Sequence, residues 1–414
     1  RDLEESERAA KYLQDAGYDM LNCDNGTYDA WYWAHPPIYM PDNCNLKDVE
    51  HIRKFVDIPV VCAGKLDPET AAESVAAGGI DGAGFARRFL ADTEWITKLM
   101  ENKDEDIRPC ILCHNGCFNM CHYEGVPNDQ SLHDSLHLAR CAVNAETMQT
   151  DKHFIEKTTS PKKVVIIGGG IGGMEAARVL KLRGHEPVIY EKSDKLGGTF
   201  IPASAESYKG KLRELLTWYR RQMEEMNIEV HLNEAVDDIS KFSGQEIIVA
   251  TGSTARVLKS IPGYEKMIEA CEFLNGKEVG QKVAVVGGGL TGCEIAYELC
   301  LAGRDVTIVE MKNDLVAQTG VCLANSSYLR EYFALHKVPV YLNTTLKEVK
   351  DGSIVCTNAG GELEIPCDSV ISSAGYIPKP LAQEGGSVHL VGDCKAIGNL
   401  RSVIWRAYEV AMGI

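Results

Sequence analysis

Two glycine-rich turns in matching surroundings constrain the fold of this chain more than any other feature. An apolar stretch, residues 162–167, runs into Gly168, Gly170 and Gly173 in the spacing G-x-G-x-x-G, and a helical pattern follows over 174–183. A second apolar stretch, 186–190, ends at Glu191, 23 residues after Gly168. The pattern recurs. Residues 281–286 lead to Gly287, Gly289 and Gly292, a helix to 301, a strand over 305–309 and then Glu310, again 23 residues after the first glycine. In a strand–turn–helix setting the first glycine makes the tight turn, the second lets a pyrophosphate approach the backbone, and the third lets helix pack on strand. The pyrophosphate then meets the helix N-terminus, and the acid accepts from ribose hydroxyls. One such spacing is weak evidence. Two complete copies predict two dinucleotide-binding units.

Which dinucleotide goes where follows from the flanking residues. Lys192 comes directly after Glu191, and a second glycine turn ending at Gly198 can run beside an extended dinucleotide. An apolar strand over 247–249 ends in the small-residue turn Ala250, Thr251 and Gly252. Near the C-terminus, Gly392 and Asp393 close a short apolar run, where an Asp can hold a ribityl hydroxyl. These extra contacts suit FAD in the outer unit, leaving the inner one for a nicotinamide nucleotide. Glu310 repels a 2′-phosphate, which favours NADH over NADPH, although Lys312 nearby works the other way. Because Asp393 follows the second fingerprint, the nicotinamide unit (281–375) is expected as an insertion in the FAD unit (161–280 and 376–414).

Ahead of these units, over 106–160, stand Cys110, Cys113 and Cys117 in the spacing C-x2-C-x3-C, with Cys141 farther on. Three thiolates so spaced can converge on one inorganic centre, and a distant fourth closes it. Thiolate suits iron–sulfur clusters and zinc alike. A triplet plus one favours a 4Fe–4S cluster, since structural zinc sites usually show two C-x2-C pairs. Cys121 competes with Cys141 for the fourth place, and Cys141 is preferred because a distant ligand ties the segment to its fold. His114 and His122 are read as lining the segment.

Residues 1–105 alternate helix and strand patterns, with strands over 18–23, 59–63 and 80–85, which implies parallel pairing. Three strands cannot close a barrel, but they can be the last three of eight, where a phosphate is commonly held. The candidate phosphate turns contain Gly64 and Lys65, then Ala86 and Arg87; the plain alternative is a glycine turn and a surface arginine. The loop over 24–45 is crowded with Tyr28, Trp31, Tyr32, Trp33, His35 and Tyr39 after a strand's C-terminal end, where barrel active sites sit. Tyr and His can donate protons there, or the cluster can simply pack a long loop.

The net charge of −16 argues against a nucleic-acid or anionic-membrane partner. No apolar run is long enough to span a bilayer. Fifteen cysteines, mostly scattered singly, fit a reducing cytoplasm better than a disulfide framework.

Taken together, these residues resemble one flavoenzyme group, that of 2-enoate reductase, 2,4-dienoyl-CoA reductase and trimethylamine dehydrogenase. The likeness rests on residues 63–68 and 86–92, the cysteine spacing with 141–144, both glycine fingerprints, 250–252 and 391–393. The resemblance implies an α/β architecture: the C-terminal part of a (β/α)8 barrel, a 4Fe–4S segment, then two nested Rossmann-like FAD and NAD domains. It implies FMN on the barrel, its phosphate held by Gly64, Lys65, Ala86 and Arg87. It places Tyr32 at the proton donor's position, with His35 and Tyr28 close by. It implies electrons passing from NADH to FAD, cluster, FMN and an activated C=C of an enoate or enoyl-CoA, and the aromatic loop looks most like the 2-enoate reductase branch, including bile-acid enoate oxidoreductases. The family's first five barrel strands are absent, which predicts a longer polypeptide and incomplete FMN contacts here. Amine dehydrogenation, or an electron-donor module like the small subunit of glutamate synthase, are the rival readings. A homo-oligomer is compatible with all of them.

Overall fold

The computed structural model describes residues 2–27, 29–122 and 138–414. Three parallel sheets carry the molecule. The first is small, with the order Leu21–Cys23, Val60–Ala63, Gly82–Gly84, each strand shorter than its sequence pattern. Its helices Leu46–Arg53 and Pro68–Ala76 begin or end where the chain dictates: Pro68 opens the latter, and Asp67 caps it by accepting from the Thr70 N–H at 3.0 Å.

The second sheet has five strands in the order Val388–Leu390, Glu246–Val249, Lys163–Ile167, Glu186–Tyr190, Glu229–His231. Its central strand reads as a continuous apolar run because both faces are covered. Val164 and Ile166 pack under the helices Ile171–Leu182, Gly210–Glu225 and Leu400–Gly413, while Val165 and Ile167 face Phe242, Leu390 and Cys394. The third sheet repeats this plan with the order Val340–Tyr341, Asp305–Val309, Lys282–Val286, Ser369–Ser372, Ile268–Glu269. Val283 and Val285 meet the helices Leu290–Leu301 and Leu323–Leu335; Ala284 and Val286 meet an antiparallel sheet of Thr345–Lys350, Ser353–Asn358 and Gly361–Pro366.

The chain leaves the second sheet after Val249 and returns to it at Val388–Leu390, parallel to Glu246–Val249. Ser253–Ala255 and Tyr376–Pro378 pair antiparallel as the two-way connection. The inserted unit opens earlier than the expected boundary at 281. Ile268–Glu269 pairs with Ser369–Ser372 as its edge strand, and Ala270 packs into its core. A two-residue strand carries too little periodicity to be read from sequence.

The cysteine segment is not a separate body. Cys141 lies in the core of the second sheet's helices, and Cys110 and Cys113 pack against it.

Candidate functional site

At the first glycine turn, Gly168 has φ +109°, and a Cβ there would lie 2.4 Å from the Ala250 carbonyl oxygen. A Cβ on Gly173 would lie 2.0 Å from the Gly168 carbonyl oxygen, so the helix starts in backbone contact with the turn. Gly170, by contrast, faces open space. The helix Ile171–Leu182 has no side-chain cap, which leaves its first amides for a ligand. Glu191 is buried and holds this turn together. Its Oε2 accepts from the Gly169 N–H at 2.7 Å, and its Oε1 from the Ser193 N–H and hydroxyl at 2.8 and 2.7 Å. The expected ribose contact is therefore left to Oε2, the oxygen with one protein donor. Lys192 is exposed beside it. Gly197 donates to the Gly169 carbonyl at 2.8 Å, and a Cβ on Gly198 would meet the Gly170 Cα at 3.3 Å, so the second glycine turn lies alongside the first. Thr251 donates to the Lys379 carbonyl at 2.7 Å, and the Lys379 N–H to that of Gly252 at 3.1 Å, which fixes the connection. Asp393 follows Gly392 (φ +67°), accepts from the Gly398 N–H at 3.2 Å, and has its carboxyl pushed up by burial.

The second fingerprint superposes these parts. Gly287 has φ +107° against the Ser373 carbonyl, Gly292 abuts the Gly287 carbonyl, and buried Glu310 accepts from the Gly288 and Lys312 N–H groups. One part differs. Gln318 Oε1 lies 3.1 Å from a Cβ built on Gly289 and accepts from the Leu290 N–H at 3.2 Å, over the helix N-terminus. Lys312 turns its Nζ to the Ala317 carbonyl at 2.9 Å.

Cys110, Cys113, Cys117 and Cys141 line one cavity, with Arg87, His114 and Gly116. A Cβ on Gly116 would fall 2.5 Å from the Ala142 nitrogen, so glycine there lets the Cys141 backbone reach the triplet. Burial first, then neighbouring thiolates, push Cys117 up to about 11 and Cys141 up to about 12, and raise Cys113. Such thiols are inert until a cation is bound, which deprotonates them outright. Cys121 is outside that lining, and Arg140 is the charged group acting on it. Among the described residues, no three His, Cys, Asp or Glu side chains close on a single metal-ion point. His114 is buried, its imidazole driven below the ordinary range by burial and Arg87, and bonded to Asn325 at 3.1 Å. The side chain of His122 lies outside the description.

The barrel residues depart more from expectation. Lys65 (φ +49°) follows Gly64, but its Nζ donates to the Ile38 and Met40 carbonyls, and burial lowers its pKa. Ala86 precedes the short helix Arg87–Ala91 at its N-cap position. The Arg87 guanidinium reaches the Pro36 carbonyl at 2.8 Å and His114 Nε2 at 2.6 Å, both through Nη1, and it lines the cavity of the four cysteines. Tyr32 is likewise engaged within the protein. Its hydroxyl donates to Glu331 at 2.7 Å, and burial and that carboxylate push it up to about 12, a poor acid. The cause is the aromatic loop's docking on a tyrosine-rich helix face, with Tyr32 edge-on to Tyr328 and Tyr39 stacked on it. His35 lies tilted against Phe118, ring centroids 3.8 Å apart, and stacks on Trp31 at 5.8 Å. Tyr28 lies outside the described residues.

An open cleft of about 1530 Å3 joins these parts. Gly392 and Asn399 line it from the first unit, Leu290 and Gln318 from the second, Cys113 from the cysteine set, and Tyr39 from the aromatic loop. Sequence reasoning missed Lys209 and Glu294, also in its wall and joined at 2.8 Å. A carboxylate two residues past Gly292 in an apolar helix was the available signal.

Two glycine turns built alike, in units that both contribute residues to one cleft, are the mark of a dinucleotide-binding protein. Residues 162–393, more than half of the chain, match the pyridine nucleotide-disulphide oxidoreductase model, as does a second match over 139–244, and residues 1–106 match that of the NADH:flavin oxidoreductase / NADH oxidase family. The chain belongs to the pyridine nucleotide-disulphide oxidoreductases and carries an NADH:flavin oxidoreductase segment ahead of that domain. It is 37% identical to cinnamate reductase of Clostridium sporogenes, over 100% of this chain and 62% of that protein. It is 30% identical to an NADH oxidase of Thermoanaerobacter brockii, over 100% of this chain and 64% of that protein. A solved 2-naphthoyl-CoA reductase in complex with 2-naphthoyl-CoA matches with TM-score 0.84 at 25% identity, covering 99% of this chain and 62% of that one. The chain thus spans less than two thirds of the length of these relatives. Among the described residues no helix is long and apolar enough to cross a membrane.

Proposed function

We propose that the chain belongs to an NADH-dependent reductase of an activated C=C bond, in a 2-enoate or enoyl-CoA, and that it carries the electron-input machinery. With NADH, FAD, a 4Fe–4S cluster and FMN bound, the cofactors supply hydride and single-electron transfer, in that order, toward the substrate. The observation that carries the reading is the single cleft lined by Gly392 and Asn399 of the first unit, Leu290 and Gln318 of the second, Cys113, and Tyr39 of the aromatic loop.

In this reading Gly168, Gly170 and Gly173 hold the FAD pyrophosphate, Glu191 and Asp393 its hydroxyls, and Gly287, Gly289, Gly292 and Glu310 the NADH. Lys312, engaged by the Ala317 carbonyl, supports NADH over NADPH. Cys110, Cys113, Cys117 and Cys141 hold the cluster: four soft donors around one cavity suit iron–sulfur chemistry. Gly64, Lys65 and Ala86 lie at the FMN end of the barrel segment. His35, not Tyr32, is the better proton donor, because the Tyr32 proton is held by Glu331. The names of the relatives, a cinnamate reductase and a 2-naphthoyl-CoA reductase, support a conjugated carboxylate or thioester as substrate class.

The test is anaerobic reconstitution with iron, sulfide and FAD, followed by NADH alone. Flavin bleaching together with a reduced-cluster EPR signal is expected. Cys141→Ser is expected to abolish that signal and Cys121→Ser to keep it. A flavin that bleaches while the cluster stays oxidised sinks the relay.

A further inference from the structure

The helix Leu400–Gly413 packs in the first unit's core and lines the cleft along one side. Its N-terminus, capped by Asn399, follows the Gly392 and Asp393 turn of the first unit. Residues four apart lie on one helix face. Here Arg401 and Trp405 form such a pair, with the guanidinium 5.7 Å from the indole centroid, and both line the cleft with Cys113. Trp405 Nε1 donates to the Cys141 carbonyl at 2.9 Å, which fastens this face to the cysteine set. Arg401 is thus tied to the cysteine set through Trp405, and it shares the cleft wall with Cys113, whose charge acts on it. Its neighbour Arg406 is engaged by the Leu390 carbonyl and Glu384. Among the described residues no carboxylate forms a salt bridge with Arg401.

An arginine that shares a cleft wall with Cys113 and, among the described residues, has no carboxylate in a salt bridge is left with its charge uncompensated by them. Each electron passed from the flavin adds one negative charge to an iron–sulfur cluster held by these cysteines. A fixed, half-buried positive charge stabilises that added charge, since such pairs are screened less than exposed ones. Guanidinium stays charged throughout the working range. We propose that Arg401 is a positioning residue for electron transfer, its charge held by Trp405 against the cysteine set so that the cluster accepts an electron from the first nucleotide unit more readily. This rests on the reading that the four cysteines bind a cluster.

The experiment is an EPR-monitored redox titration of the anaerobically reconstituted chain, with iron content measured in parallel. Arg401→Gln is expected to retain wild-type iron content and to make cluster reduction about tenfold less favourable, a midpoint lower by ~59 mV for one electron. Arg401→Lys, which keeps the charge, is expected to hold the midpoint near wild type. An iron-loaded Arg401→Gln protein with an unchanged midpoint overturns the inference alone. A wild-type chain that binds no iron overturns the cluster reading and the inference with it. A midpoint lowered equally in both variants also overturns it, since packing, not charge, is then the cause.

Discussion

In the first nucleotide unit the fingerprint turn faces Gly197 and Gly198, and Gly170 looks into open space; in the second, Gln318 stands over Gly289 and the Leu290 N–H. The rest of the two turns is shared: a positive-φ glycine against a crossing carbonyl, a third glycine against the first, and a buried Glu accepting from the glycine between. The strand–turn–helix geometry is thus common to both, while the facing loop decides what each cradle admits. An open cradle with a returning Asp393 suits a resident FAD. A cradle whose first amide is held by a side chain suits a ligand that comes and goes.

The sharpest way to break this comparison is to remove the third glycine of either unit. Gly173→Ala and Gly292→Ala each place a Cβ against a carbonyl oxygen, and overpacking of this kind costs about 3 kcal/mol. Gly173→Ala is expected to lose flavin absorbance while retaining NADH binding by fluorescence titration, and Gly292→Ala to do the reverse. Loss of both ligands in either variant would show that the units do not bind independently. Next in size is the acid of the second unit. Glu310→Ala leaves the Gly288 and Lys312 N–H groups without their acceptor, a loss of about 1–3 kcal/mol. It is expected to weaken NADH binding at least as much as it lowers the thermal midpoint, with FAD content unchanged.

Gln318→Ala is expected to go the other way. It frees the Leu290 amide and tightens NADH binding by up to about tenfold, given a hydrogen bond worth about 0.5–1.5 kcal/mol. Weaker binding would make Gln318 a ligand contact instead of a competitor. An effect of another kind, read against pH, is expected at the seam of the two units. There Glu206 and Glu294 share Lys209 at 3.1 and 2.8 Å. Burial pushes the Glu206 carboxyl from 4.5 to about 7. A raised carboxyl pKa stabilises the folded state fully below the unfolded value, and this contribution is lost as pH rises through the folded one. Unfolding free energy is therefore expected to fall from pH 4.5 toward about 7, and Glu206→Gln to flatten that slope in urea titrations.

Both nucleotide units were legible from the chain because their signals are local: an apolar strand, three glycines and an acid within two dozen residues. The cysteine spacing was legible for the same reason, and the return of Asp393 to the first unit followed from motif order. The short strand Ile268–Glu269 was not, having no period to read. Nor were the partners of Arg87, Tyr32 and Lys65, because each side chain is claimed by a carbonyl, imidazole or carboxylate from a distant segment. Sequence alone determined the residue types and local turns that can bind two dinucleotides and offer four soft donors. Tertiary structure alone decided that Cys141 joins the triplet through the gap left by Gly116, that Gln318 stands at one cradle, and that Arg401 shares a cleft wall with Cys113. The physical reason is range: backbone turns are set by neighbours in the chain, whereas charge and hydrogen-bond partners are set by whatever packing brings within a few ångströms.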